Sequence, residues 1–142
     1  MKVIHHVVDI PSSQEKVYEA LTTGKGLAGW WSTRVTAASD VGGVVHFTFV
    51  GDFNPDMEIT ELRPPERVAW KCVGGHEPWA DNTFRFELAG PGEGQTRLRF
   101  WQDYATELSD DAYGIYSFNW GYYLESLRLL CETGTGKPFG AP

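Results

Sequence analysis

The stretch Asp111–Thr133 most constrains what this chain can fold into. Tyr116, Trp120, Tyr123, Leu124, Leu127, Leu130 and Cys131 recur at helical spacing, while Ser117, Gly121, Glu125, Arg128 and Glu132 lie on the opposite face. The spacing predicts one long amphipathic helix whose apolar stripe is rich in rings. At about 1.5 Å per residue such a helix runs roughly 30 Å or more, so its stripe needs a cover several strands wide.

The preceding chain can supply that cover. Val3–Ile10 reads as a first strand, with Ile4, His6, Val8 and Ile10 on one face. Asp9 sits on the other face and is costly to bury, so the His6 face is expected inward. The pattern breaks at Pro11. Ser12-Ser13-Gln14-Glu15 fits a capping box that opens a short helix to about Thr23, with Val17, Ala20 and Leu21 facing in. Gly24, Gly26 and Gly29 read as punctuation around a second short helix, Leu27–Trp31. From Ser32 to Gln102 the pattern is β throughout, with a short strand at Val35 and longer ones at 44–50, 57–62, 67–73, 83–88 and 96–102. Alternation in consecutive strands joined by short turns predicts an antiparallel meander with one wet face. The fold class is therefore α+β. One domain is expected over residues 1–142, with a core at about 3–134 and a tail at 135–142.

Charge and composition exclude several partners. The net charge is −7 and no basic run occurs, which argues against nucleic acid and against anionic membrane surfaces. No segment approaches the roughly 20 apolar residues of a membrane span, and the N-terminus has no signal-peptide pattern, so a soluble cytoplasmic protein is expected. Cys72 and Cys131 each sit in an apolar pattern and read as buried thiols. No metal-ligand spacing, phosphate-binding glycine loop or nucleophile motif is present, so neither a metal nor a cofactor is expected.

Several motifs resemble a known family. The run Ile10-Pro11-Ser12-Ser13-Gln14-Glu15-Lys16-Val17-Tyr18-Glu19-Ala20-Leu21 is similar to the opening of START-like (SRPBCC) domains, in the branch named after the C-terminal domain of the activator of the heat-shock protein 90 ATPase. Tyr18 stands where that family often has Trp or Phe. Gly26-Leu27-Ala28-Gly29-Trp30-Trp31, Gly42-Gly43, the stretch Ile59 to Val68, and Trp120-x-x-x-Leu124-x-x-Leu127 follow in the family's order. The resemblance spans about residues 4–133. It implies a helix-grip fold (START/Bet v 1-like): a curved antiparallel sheet wrapped around a long C-terminal helix, with two short helices after the first strand and a cavity between sheet and helix. It also raises a chaperone as a partner.

The expected function is binding of a small apolar or aromatic molecule in that cavity. The rings assigned to its walls are Trp30, Phe47, Phe49, Trp70, Phe84, Phe86 and Phe100, facing Tyr116, Trp120 and Tyr123 of the helix. Candidate polar contacts are His6, Gln102, Asn119 and Glu61, the last in phase with the apolar face of its strand. His76 reads as a rim or lid residue and His46 as a solvated strand residue. Two alternatives stay open. One is an enzyme of the same fold, a cyclase, dehydratase or hydrolase using His6, Glu61 and Tyr116. The other is a protein-interaction module with Trp79 and Trp101 in an exposed apolar patch.

Overall fold

The computed structural model describes residues 2–141. Seven strands form one sheet: β1 (Val3–Ile10), β2 (Arg34–Thr36), β3 (Val44–Thr48), β4 (Asp56–Arg63), β5 (Arg67–Gly74), β6 (Thr83–Gly92) and β7 (Gln95–Asp103). Their order is β1-β7-β6-β5-β4-β3-β2, and every neighbouring pair is antiparallel. Thus β2 to β7 form the expected meander, and β1 closes it by pairing with β7. Two short helices, α1 (Gln14–Thr22) and α2 (Gly24–Trp30), connect β1 to β2, and α3 (Asp110–Thr133) is the long C-terminal helix. The sheet curves around α3 in a helix-grip arrangement.

Period-2 patterning settles which face is dry. Ile4 and Ile10 on β1, Phe84, Phe86 and Leu88 on β6, and Leu98 and Phe100 on β7 are buried. Trp120, Leu124, Leu127 and Cys131 of α3 are buried with them. The alternate residues carry the wet face, where Asp9 bonds Arg97 at 2.8 Å and the Arg85 guanidinium lies 4.1 Å over the Trp101 ring. Ser109 caps α3 by accepting from the Ala112 N–H, and the helix ends at Gly134.

Three local expectations change. The cap of α1 is Ser13, which accepts from the Lys16 N–H at 3.2 Å; Glu15 is thereby one position too early to complete a capping box. Ser12 is unavailable because it is tied to the sheet: its carbonyl accepts from Thr96 Oγ1 at 2.7 Å and its N–H donates to Ile10 O at 2.8 Å. Second, α2 begins at Gly24, so the glycines there lie inside a helix rather than between elements. A Cβ on Gly26 would sit 2.5 Å from Ala20 Cα, and it is this close crossing of α1 and α2 that calls for glycine. Third, the segment after α3 returns to the body. Phe139 N–H donates to Trp31 O at 2.9 Å, Thr33 N–H donates to Phe139 O at 3.0 Å, and Lys137 N–H donates to Ser126 Oγ at 2.7 Å.

Candidate functional site

Beside the first half of α3 lies a cleft of about 300 Å³. Tyr116, Asn119, Trp120 and Tyr123 of α3 form one wall. These are neighbours on a helix surface, three or four positions apart. The opposite wall comes from loops: Phe49, Val50 and Phe53 from the β3–β4 turn, His76 and Trp79 from the β5–β6 loop, and Trp31 and Phe139 from the ends of α2 and the chain. Gly75 fastens the two loops together. Its φ of 79° belongs to the left-handed region, and a Cβ there would lie 1.7 Å from Asn54 O. Asn54 N–H donates to Gly75 O at 3.0 Å, while Asn54 Oδ1 accepts from the Phe49 N–H at 3.0 Å.

Three indoles make the floor. Trp31 stacks on Trp120 at 5.1 Å and 26°, and Trp79 lies nearly parallel to Trp120 at 6.1 Å and 14°. Two of their N–H groups are already used: Trp79 Nε1 donates to Tyr104 Oη at 3.1 Å and Trp120 Nε1 to Gln102 Oε1 at 2.8 Å. These bonds fix both rings and present their faces rather than their N–H groups. Phe49, Phe53 and Phe139 continue the apolar surface, with Phe49 4.8 Å from Phe53 and 5.5 Å from Phe139.

One polar pair interrupts the rings. His76 Nε2 and Tyr116 Oη are 2.9 Å apart. Burial pushes the His76 pKa below its ordinary value, with the nearby Asp52 backbone and carboxylate drawing it partly back. Burial likewise raises the Tyr116 pKa, and Asp52 adds to the rise. Both groups are therefore neutral at pH 7. Whichever of the two donates the shared proton, the Tyr116 oxygen keeps a lone pair for another donor. His76 Nδ1 is buried without a well-formed hydrogen bond.

The structure brings Phe49, Tyr116, Asn119, Trp120 and Tyr123 together at this cleft, and the rim residue His76 with them. It takes the other candidates elsewhere. Trp30, Phe47, Trp70, Phe84, Phe86 and Phe100 are buried in the core: Phe47, Phe84 and Phe100 pack against Trp31, Trp79 and Trp120 of the floor, and Trp30 Nε1 donates to Ala20 O at 2.9 Å. Gln102 lies fully buried beneath Trp120, its Nε2 without a partner. His6 does face inward, but on the other flank of α3, where Nε2 meets Ser117 O at 3.1 Å.

Glu61 does not enter the cleft. A register shift between Ile59 and Glu61 turns its side chain toward Arg67 Nε, 2.8 Å away, and Arg63 Nη2, 3.2 Å away. His6 on β1 and Glu61 on β4 are separated by β7, β6 and β5, which puts them about 19 Å apart across the sheet and dissolves the acid–base pair. Trp79 is buried, at 2% exposure, so it belongs to no exposed patch. Trp101 is covered on the wet face between Arg85 and His5, whose ring it stacks on at 4.6 Å. Phe53, Trp79 and Phe139 were missed as lining residues because loops carry no periodicity, Trp31 because it reads as closing the second helix and Val50 because it reads as the end of a strand. The available signal was large apolar side chains inside Gly- and Pro-rich turns, which must fold over onto something apolar. Among the described residues no helix is long and apolar enough to cross a membrane, and no group of three or more His, Cys, Asp or Glu could hold a metal ion.

Residues 11–132 match the family described as Activator of Hsp90 ATPase homolog 1-like protein. Among solved structures, the chain is similar to the Aha1 dimer from Colwellia psychrerythraea, at 35% identity and a TM-score of 0.85, covering 96% of this chain and 100% of that one. An HSP90 activator from Plasmodium falciparum has a TM-score of 0.75 at 16% identity, over 92% of this chain and 96% of that one. A Staphylococcus saprophyticus protein has a TM-score of 0.75 at 14% identity, over 96% and 97% of the two chains. The last two share the fold alone. Among curated proteins no significant match is found.

Proposed function

The chain belongs to the Activator of Hsp90 ATPase homolog 1-like family, and from that premise we propose that it binds a small aromatic molecule in the cleft beside the start of α3. The observation that carries this reading is the composition of the cleft walls: an indole floor and phenylalanine sides, with the His76–Tyr116 pair, Asn119 and Tyr123 as the polar groups. The indoles are buried, but Phe53, Tyr116, Tyr123 and Phe139 are half-buried around the cleft, and covering the apolar area they leave open is worth about 25 cal/mol for each Å². At about 300 Å³ the cleft is at the small end of ligand sites and suits about two fused rings. The free lone pair on Tyr116 favours a ligand with an N–H or O–H donor at its edge.

Indole and 1-methylindole test this reading, since they differ in the donor. At about −0.5 kcal/mol per non-hydrogen atom, indole would bind with a submillimolar Kd. A tenfold excess over Kd then adds about 1.4 kcal/mol of stability, or roughly 3–6 °C in Tm. 1-Methylindole is expected to bind more weakly by about 1 kcal/mol, and Tyr116→Phe to abolish the difference. Absence of a Tm shift with either compound at several millimolar would overturn the reading.

A second reading concerns assembly. The Colwellia psychrerythraea relative is described as a dimer, and Ile115, Phe118 and Tyr122 of α3 are exposed in this chain. We infer that this chain also forms a homodimer. Sedimentation velocity over a concentration series tests that: a reversible rise in mass supports it, and a monomer at every concentration up to about 1 mM, near the weak limit of specific association, contradicts it.

A further inference from the structure

Polar and apolar groups are sorted to opposite walls of the cleft. On the α3 wall, Tyr116, Asn119 and Tyr123 lie three and four positions apart, in one stripe about 10 Å long. Each ends in a group that can meet a ligand. The Tyr116 oxygen keeps a lone pair beside its bond to His76, and the Asn119 amide brings both a donor and an acceptor. Burial, with the neighbouring Tyr122, raises the Tyr123 pKa, so its hydroxyl keeps its proton at pH 7.

The facing wall is different. Phe49, Val50, Phe53 and Phe139 have hydrocarbon side chains. The backbone N–H groups of the three phenylalanines are already engaged: Phe49 donates to Asn54 Oδ1 at 3.0 Å, Phe53 to Val50 O at 3.2 Å and Phe139 to Trp31 O at 2.9 Å. His76, the polar residue on the loop side, is turned to Tyr116. A ligand hydroxyl or amide that faces the phenylalanines therefore loses water and gains no partner among them.

Charge narrows the ligand further. Among the described residues, no Asp, Glu, Lys or Arg lines the cleft, and His76 is neutral at pH 7. The carboxylate whose field reaches His76 and Tyr116 is that of Asp52. A ligand carboxylate would enter with no cation to pair with and with Asp52 against it, in a chain of net charge −7.

We propose that the cleft selects a bicyclic aromatic molecule that carries no anionic group and has its hydroxyl, amide or ring N–H groups along one long side. That side lies against Tyr116, Asn119 and Tyr123, and the bare hydrocarbon side against Phe49, Phe53 and Phe139. The proposal rests on the aromatic-ligand reading above and names the class of that ligand.

Isothermal titration calorimetry at pH 7 tests it with two isomers of equal composition. 2,7-Dihydroxynaphthalene has both hydroxyls on one long side, and 2,6-dihydroxynaphthalene has one on each. The expected Kd is about tenfold lower for the 2,7 isomer, because the 2,6 isomer turns one hydroxyl to the phenylalanines. The double variant Asn119→Leu/Tyr123→Phe leaves only Tyr116 on the polar wall. It should bring the two Kd values within about twofold while still binding indole, which needs only the rings and Tyr116, so loss of fold cannot explain the change. Naphthalene-2-carboxamide should bind the wild type at least about tenfold more tightly than naphthalene-2-carboxylate. Equal affinities for the two diols, no binding of either diol, or a carboxylate as tight as its amide would each overturn this assignment, and binding of indole would still spare the aromatic cleft. Absence of binding by indole and by both diols would overturn both.

Discussion

Trp120 illustrates how much one side chain does in this fold. Its ring packs 4.3 Å from Phe100 and forms part of the cleft floor, while its N–H satisfies Gln102 Oε1 at 2.8 Å. Gln102 is fully buried and its Nε2 already lacks a partner. Trp120→Phe would leave both ends of the amide unpaired and open a small void, for an expected loss of about 2–4 kcal/mol by urea unfolding. Adding Gln102→Met should recover at least about 1 kcal/mol, because an apolar group has no hydrogen bond to miss. Gly26 makes the opposite case, in which absence of a side chain is the requirement. Gly26→Ala gains up to about 1 kcal/mol in helix propensity but forces a Cβ against Ala20 Cα. A net loss of about 1–3 kcal/mol is expected, read from the urea midpoint.

At the scale of elements, two histidines clip the first half of α3 from opposite sides. His6 of β1 reaches Ser117 O at 3.1 Å and Ser117 Oγ at 3.3 Å, and His76 of the β5–β6 loop reaches Tyr116 Oη at 2.9 Å. Burial depresses both pKa values; the Ser117 carbonyl partly offsets the effect on His6 and His5 lowers it further, and Asp52 partly offsets the effect on His76. A depressed histidine means that the unfolded chain binds more protons than the native one below its ordinary pKa of about 6.5. Stability is therefore expected to rise with pH up to about 7 and to fall as pH drops through 6.5, levelling off below the native pKa values. Tm measured from pH 7.5 to 5 should decline by less in His6→Asn/His76→Gln than in the wild type. An equal decline would show that other groups set the pH dependence.

The elements themselves were largely legible in the sequence. Strict alternation in Phe84-x-Phe86-x-Leu88 and Leu98-x-Phe100-x-Gln102 fixed both strand and facing, because one face is dry and a slip would expose the whole set. The helical stripe of α3 was equally readable, including its division into a packed end at Leu124 and Leu127 and an open end at Tyr116, Asn119 and Tyr123. The cleft was half legible. Its α3 wall follows from helical spacing. Its other wall is made by loops whose placement depends on Gly75, Asn54 and the returning Phe139, contacts that no local period encodes. Glu61 misled because alternation assumes a regular strand, and the register shift after Ile59 breaks that assumption.

For the whole molecule, the packed end and the open end divide the labour. Burial of Leu124, Leu127, Trp30 and Phe86 holds helix to sheet, while Phe53, Tyr116, Tyr123 and Phe139 stay half-buried around the cleft. The central claim, that the cleft takes a small aromatic molecule, is tested most directly by titrating indole into ¹⁵N-labelled protein and following the indole N–H resonances of its tryptophans. Those of Trp31, Trp79 and Trp120 should shift together and saturate at one Kd, while that of Trp101 on the wet face stays fixed. No shift at any tryptophan, or shifts confined to Trp101, would contradict the claim.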